Sequence, residues 1–241
     1  PLRSCTELEI VKVTGLVGLN DVSGIANLDK LRNFILDGCP GVTSLPDLRK
    51  LTALRFMTLN LTSIKNGQNI ANLPLLELLQ VTGAWRLENF EGMGNLPKLG
   101  KIRARGLRAL QSLSGLTDLP ELTDVNIEAS ILETLEHLGT LPSLKQLEVT
   151  SAKLKKVGFT VSLPVLSSLR FRTKAAAQGI DVTGIEQAPK LTTFECPFPL
   201  VAGVQKLEEL ILLKTMTICV SQNIDMSDLF FPSLQSLDVG W

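Results

Sequence analysis

The chain repeats one short pattern of apolar residues about every 22 to 23 residues. The sequence Leu-Pro-x-Leu starts at Leu73, Leu96, Leu119, Leu141 and Leu163, which are separated by 23, 23, 22 and 22 residues. Weaker forms of the same start occur at Cys5, Leu28, Leu51, Ala188, Leu207 and Phe231. A fixed period of this length is typical of solenoid proteins. The pattern therefore predicts a single solenoid over residues 1–241, built from about eleven units.

Within each unit the spacing of apolar residues changes from three to two. In one unit they stand at Leu119, Leu122, Val125 and Ile127. The step of two predicts a β-strand with both side chains on one face. The steps of three that follow, as from Leu132, predict tight turns or short 3₁₀ segments. A unit this short leaves no room for a full helix on its return path.

This unit, written L-x-x-L-x-x-L-x-L, resembles that of leucine-rich repeat proteins, and the resemblance covers nearly the whole chain. It implies an α/β-type solenoid, a curved array with a concave parallel β-sheet and short extended or 3₁₀ convex returns. Each unit supplies one strand, and only stacking of neighbouring units buries the leucines. Proline at the second position lacks an N–H and fixes φ where the chain turns into the strand.

The chain departs from the family pattern in two ways. The position after the strand that usually holds Asn is expected to be occupied by Leu16, Cys39, Thr62, Ala84, Leu107, Ser130, Ala152 and Lys174. The period is degenerate over 174–230, where residues 174–179 read as an insertion. Because neither end resembles a polar cap, we expect the chain to be a fragment of a longer protein.

The register also identifies the strand residues that point away from the core, onto the concave surface that solenoids use for binding. In the degenerate tenth unit it places Leu212, Lys214 and Met216 on that surface. Elsewhere it predicts an apolar cluster, a basic stripe with an echo three units later, and carboxylates at Asp124, Glu128 and Glu148 between them. Aromatic and Arg residues are favoured anchors in protein interfaces. The candidate protein-binding residues are Ile10, Ile35, Phe56, Leu78, Trp85, Lys101, Arg103, Arg105, Glu128, Arg170 and Arg172.

Charge and composition narrow the possible functions. Lys plus Arg and Asp plus Glu both number 24, and this balance argues against nucleic-acid binding and against attachment to an anionic membrane. Leu alone contributes 46 of 241 residues, whereas there is one His and no Tyr. Few groups are left for acid–base catalysis. The chain has no phosphate-loop or nucleophile-elbow motif, so we expect a protein-binding domain that is no enzyme and needs no cofactor.

The remaining reactive groups have ordinary interpretations. His137 lies near Glu133 and Glu136 on the predicted return path and is expected to be a solvated surface residue. The four cysteines, Cys5, Cys39, Cys196 and Cys219, are far apart and form no C-x-x-C pair. We interpret them as small buried hydrophobic residues in a reducing compartment, which favours a cytoplasmic location.

Two stretches carry a finer resemblance. Residues 141–149, Leu-Pro-Ser-Leu-Lys-Gln-Leu-Glu-Val, and 231–239, Phe-Pro-Ser-Leu-Gln-Ser-Leu-Asp-Val, resemble repeats of plant intracellular nucleotide-binding leucine-rich-repeat immune receptors of the flax rust resistance type, as does 36–48. The resemblance implies the region that senses a pathogen effector and holds the receptor inactive through other domains of its own chain. The alternatives are a constitutive intracellular scaffold or regulatory subunit and a bacterial internalin-like adhesin.

Overall fold

Among the residues that the structure describes, eleven parallel strands form one continuous sheet in chain order, and a twelfth joins at its side. A computed structural model describes residues 2–172, 179–220 and 229–240. The strands are β1 (Ile10–Thr14), β2 (Asn33–Asp37), β3 (Phe56–Asn60), β4 (Leu78–Thr82), β5 (Lys101–Leu107), β6 (Asp124–Ala129), β7 (Gln146–Ser151), β8 (Ser168–Arg172), β9 (Ile180–Asp181), β10 (Thr193–Ala202), β11 (Thr215–Val220) and β12 (Ser236–Gly240). β9 pairs with β10, which itself follows β8 in the sheet, and Asp181 of β9 also forms an isolated parallel bridge with Lys156. Of the insertion predicted over 174–179, residues 174–178 lie outside the described ranges.

A tight turn precedes each of the strands β1–β8 and β10–β12 and explains the recurring spacing within the units. The N–H of Leu122 donates to the carbonyl of Leu119 at 3.2 Å, and Leu144 donates to Leu141 in the same way. Proline suits the second position of such a turn because its ring fixes φ near the required value. β6 then begins at Asp124, five residues after the first residue of its turn.

The core runs through the solenoid as stacked columns of inward side chains. On β6 the buried residues are Val125, Ile127 and Ala129, and β7 buries Leu147, Val149 and Ser151 directly beside them. The returns hold only short 3₁₀ helices at Leu2–Ser4, Ser23–Ile25, Ile185–Gln187 and Val204–Glu209 among the described residues. The expected fold class is therefore confirmed: a parallel-sheet solenoid with extended or 3₁₀ returns.

The register predicted for the tenth unit is wrong by three residues. Met216, expected on the surface, is 0% exposed, and β11 begins at Thr215. The turn before β11 starts at Leu210, whose carbonyl accepts the N–H of Leu213 at 2.9 Å. Leu207, which the pattern took as the start, lies buried in a 3₁₀ helix instead. Leucines three apart fit both placements, so the pattern of threes alone is ambiguous here.

The position after the strand is also misplaced by one residue in two units. Ser130 and Ala152 are exposed. In the sheet Leu107 of β5 pairs instead with the buried Ala129 of β6, and Ala129 in turn pairs with the buried Ser151 of β7. A β-bulge between Ala104 and Leu107 adds one residue to β5 relative to β6. The Ser151 hydroxyl donates to the carbonyl of Leu132 at 2.6 Å. Ser151 thus satisfies a buried carbonyl that the family Asn would be expected to bind.

Left-handed residues stand at equivalent positions of the first five units, at or near the end of each strand. Gly15, Gly38, Gly83 and Gly106 have φ between 63° and 71°, and the equivalent residue of the third unit is Leu61 at 50°. Glycine adopts this conformation without the steric cost that a side chain imposes. The N–H of Gly83 donates to the carbonyl of Arg105 at 2.8 Å, which continues the sheet ladder by one more residue.

A close backbone contact in the later units generates a prediction about stability. A Cβ atom on Gly158 would overlap the carbonyl group of Thr183 in the next unit. Gly158→Ala must push two backbones apart, so we expect the free energy of unfolding to fall by about 2 kcal/mol or more. Urea unfolding followed by circular dichroism measures this change.

Gly94→Ala is the matched control, because nothing lies within 4 Å of its Cβ position and its φ is not left-handed. Alanine there is expected to leave stability unchanged or to raise it by up to about 1 kcal/mol. Equal effects of the two substitutions would contradict the close packing at Gly158.

Candidate recognition surface

The outward sheet face, called the concave face here, presents three rows of side chains across the strands. In the first row Phe56 of β3 pairs with Leu78 of β4, which pairs with Lys101 of β5. In the second row Gln80, Arg103 and Asn126 are neighbours in the same way. Adjacent strands lie about 4.8 Å apart, so neighbours in a row are in side-chain contact range.

The predicted apolar cluster lies at the N-terminal end of this face, and Ile10, Ile35, Phe56 and Leu78 are called the apolar patch. Ile10 is 63% exposed and Phe56 is 39% exposed. Ile35 occupies the second row of β2, so it lies diagonally between the other two. Contiguous exposed apolar side chains of this kind mark binding surfaces more often than isolated ones do.

Three cations follow one another along β5, and Lys101, Arg103 and Arg105 are called the cation column. All three are exposed. Lys101 and Arg103 form no ion pair within residues 2–172, 179–220 and 229–240. The Nε of Arg105 donates to the Asn126 amide oxygen at 3.4 Å, so its contact is a neutral one. The column keeps its full positive charge.

The predicted echo of the basic stripe differs, because both of its arginines are paired with carboxylates. The Nε of Arg170 lies 2.9 Å from a carboxylate oxygen of Glu195 on β10. The Nε of Arg172 lies 2.9 Å from a carboxylate oxygen of Glu148 on β7. Surface ion pairs of this kind add little to stability, but each cancels one charge locally.

The carboxylates between the two basic regions are only partly engaged. Glu148 binds Arg172, and Asp124 accepts the hydroxyl of Thr123 at 2.5 Å. Glu128 is exposed and has no ion-pair partner in the part of the chain that the structure describes. Positive and negative groups therefore alternate across β5 to β8.

A groove of about 380 Å³ lies over these four strands. Its lining includes the cation column, Asp124 and Asn126 on β6, Glu148 on β7 and Arg170 on β8. The bulge in β5 falls at Arg105 and Gly106. Bulges commonly occur beside functional sites, where they redirect a side chain.

Trp85 is the one candidate residue that does not lie on the concave face. It is 48% exposed in the loop after β4, and the guanidinium of Arg86 lies 5.5 Å from its ring centroid. Leu16, Val17 and Leu61 are exposed in the corresponding loops of earlier units. Sequence reasoning missed this apolar edge, although each of these residues follows a strand end that the period identifies.

The groups around His137 are already occupied by other contacts. Glu133 binds Lys155 at 2.9 Å and Glu136 binds Lys156 at 2.7 Å. These lysines lower the pKa of both carboxyls below the usual value. His137 is exposed, in agreement with the expectation of a surface residue. Among the described residues no group of three or more His, Cys, Asp or Glu side chains is placed to hold a metal ion.

The expectation of four buried cysteines holds for two of them. Cys39 and Cys196 are completely buried, whereas Cys5 is exposed and Cys219 is half-buried. Cys5 lies at the start of the turn before β1, where its carbonyl accepts the N–H of Leu8 at 3.1 Å. No helix in the described ranges is long and apolar enough to cross a lipid bilayer.

Comparisons with known proteins add two similar structures. The chain is 17% identical to an internalin from Listeria monocytogenes, covering 98% of this chain and 88% of that one with a TM-score of 0.30. It is 14% identical to a leucine-rich repeat protein from Leptospira interrogans, covering 98% and 81% with a TM-score of 0.28. No protein-family model and no curated protein matches the sequence. The fold assignment therefore depends on this chain's own period, parallel sheet and inward leucines.

The contrast between the cysteines predicts different reactivities. Burial raises the pKa of the Cys196 thiol to about 12. At pH 8 about one such thiol in ten thousand is the reactive thiolate, and burial also blocks the reagent. Iodoacetamide at pH 8 is expected to modify Cys5 and to leave Cys39 and Cys196 unmodified, as measured by peptide mass spectrometry. Unfolding in urea is the control and should expose all four; equal rates for Cys5 and Cys196 in the native protein would contradict the buried placement.

Proposed function

We propose that the concave face of this solenoid binds another protein. The observation that carries the proposal is the cation column, which forms no ion pair among the residues that the structure describes and which lies beside an exposed apolar patch. A surface that combines apolar anchors with unpaired Arg has the composition of protein interfaces. In this proposal the domain recognises its partner, and any catalysis belongs elsewhere.

The distribution of charge favours a protein partner over a nucleic acid. A nucleic-acid surface gains affinity from a continuous excess of Lys and Arg along the phosphate backbone. Here negative charge interrupts the basic surface, since Asp124 lies beside Lys101 across β5 and β6 and Glu148 lies beside Arg170 across β7 and β8. A folded protein can present both signs of charge and an apolar side chain at matched positions.

A finer proposal follows from the resemblance of the repeats at 141–149 and 231–239. In it the domain is the effector-sensing and autoinhibitory region of a plant intracellular immune receptor, acting in the cytoplasm without a cofactor of its own. Its partner is a pathogen effector, or another domain of the same receptor in the resting state. The contrasting case is a constitutive scaffold that holds one regulatory partner permanently.

Charge reversal of the cation column tests the general proposal. The variant Lys101→Glu, Arg103→Glu, Arg105→Glu replaces three unpaired cations with anions, so it is expected to weaken partner binding at least tenfold. Proteins captured by the wild-type domain from lysate of its source are identified, and the binding of each purified candidate is measured by isothermal titration calorimetry. Arg172 is left unchanged because Glu148 already neutralises it.

The control reverses three exposed lysines that lie off the sheet face, Lys65, Lys153 and Lys190. It makes the same change in net charge and should retain the partner. A partner held equally by both variants would move the binding site away from the concave face. Phe56→Ser then tests the apolar patch separately, with an expected loss of binding.

The finer proposal is tested by the coding sequence around this segment. A nucleotide-binding domain with a phosphate loop on the N-terminal side is expected for an immune receptor. A complete capped array without such a domain would select the scaffold, and an export signal would select the adhesin.

A further inference from the structure

The cation column has a regular geometry that limits the shape of its ligand. Lys101, Arg103 and Arg105 occupy alternate positions of one strand. Alternate residues of a strand are separated by about 6.8 Å. Their Cα atoms therefore span about 14 Å along β5, which is the repeat of a second extended chain laid beside it.

The same sheet already shows how its arginines bind carboxylates. Arg172 and Arg170 each bind a Glu from a neighbouring strand at 2.9 Å through Nε. Arg103 lies beside Gln80 on β4 and Asn126 on β6, and Asp124 and Glu128 are its diagonal neighbours on β6. Within residues 2–172, 179–220 and 229–240 Arg103 forms an ion pair with neither of them, so its guanidinium is open to a carboxylate of a ligand.

A helical ligand is less well matched to this surface. An amphipathic helix lying along β4 and β5 would need an apolar row parallel to the strands. β4 instead presents Leu78, Gln80 and Thr82, of which only the first is apolar. The apolar patch runs across the strands at their starting ends, so it contacts one end of a ligand that lies along β5.

We infer that the cation column receives an extended acidic segment of a partner protein, with carboxylates on alternate residues. This inference rests on the proposed function and adds the chemistry of the partner. Three carboxylates on one face of the segment lie opposite Lys101, Arg103 and Arg105, and the intervening side chains point away from the sheet.

Two peptides of identical composition test the spacing. Both are acetylated and amidated, so that their ends carry no charge. The first, Ser-Glu-Ser-Glu-Ser-Glu-Ser, places all its carboxylates on one face when extended. The second, Glu-Ser-Ser-Glu-Ser-Ser-Glu, alternates faces and spaces its carboxylates beyond the column. NMR titration of the whole domain at low ionic strength follows the side-chain Nε–Hε signals of Arg103 and Arg105.

The alternating peptide is expected to bind about fivefold more tightly than its control, because at least one more ion pair is aligned. Its shifts should be largest at Arg103 and Arg105. The neutral variant Lys101→Gln, Arg103→Gln, Arg105→Gln should lose this binding, whereas the corresponding glutamines at Lys65, Lys153 and Lys190 should retain it. Unchanged backbone spectra show that each variant is folded.

Equal affinity of the two peptides would overturn the inference, since the attraction between the cations and the carboxylates would then not depend on the spacing of the carboxylates. Tighter binding of a single-stranded oligothymidine of similar charge would overturn it in favour of a polyphosphate ligand. If neither peptide shifts the NMR signals of Arg103 and Arg105, but charge reversal of the cation column still abolishes binding of a protein partner, the inference fails and the proposed function stands. If a partner survives charge reversal, the proposed function itself fails.

Discussion

No single unit of this chain can bury its own leucines, and that constraint governs the rest of the structure. A unit contributes a turn, a strand of about five residues and a short return, which together enclose no core. Burial comes only from stacking the next unit in parallel register, as Val125 stacks on Leu147 and Ile127 on Val149. The chain must also turn into a strand once in every unit. A tight turn of the Leu-Pro-x-Leu type does this and is closed by one backbone hydrogen bond.

Because the inward residues supply the cohesion, the outward residues are free to vary. The concave face therefore changes character along the array, from the apolar patch through the cation column to arginines held by glutamates. Which of these charges is available to a ligand depends on its neighbour one strand away. Arg172 has Glu148 within reach, whereas Arg103 lies between two amides. A basic stripe of five residues thus reduces to a column of three.

Much of the fold could be predicted from sequence, for a definite physical reason. Steps of two mark strands, because side chains alternate across a sheet, and each predicted strand in the regular units begins where the structure places it. The tenth unit failed because leucines at 207, 210 and 213 give two equivalent turns, and only the step from Met216 to Ile218 distinguishes them. The ion pairs could not be predicted, since they depend on side-chain reach across strands. The position of Trp85 off the concave face could be predicted, because Trp85 lies three residues after Thr82, the last residue of β4.

The bulge in β5 connects the fold to the candidate site. Gly106 of β5 is left-handed, whereas β6 has no left-handed residue at the equivalent position. β5 has one residue more than β6 at this point, and the bulge accommodates it. The bulged residues are Arg105 and Gly106, at one end of the cation column. This change in repeat length is therefore placed beside three cations that form no ion pair within the described ranges. A bulge weakens the ladder locally and redirects a side chain, and here it lies at the end of the column on which the proposed binding surface depends.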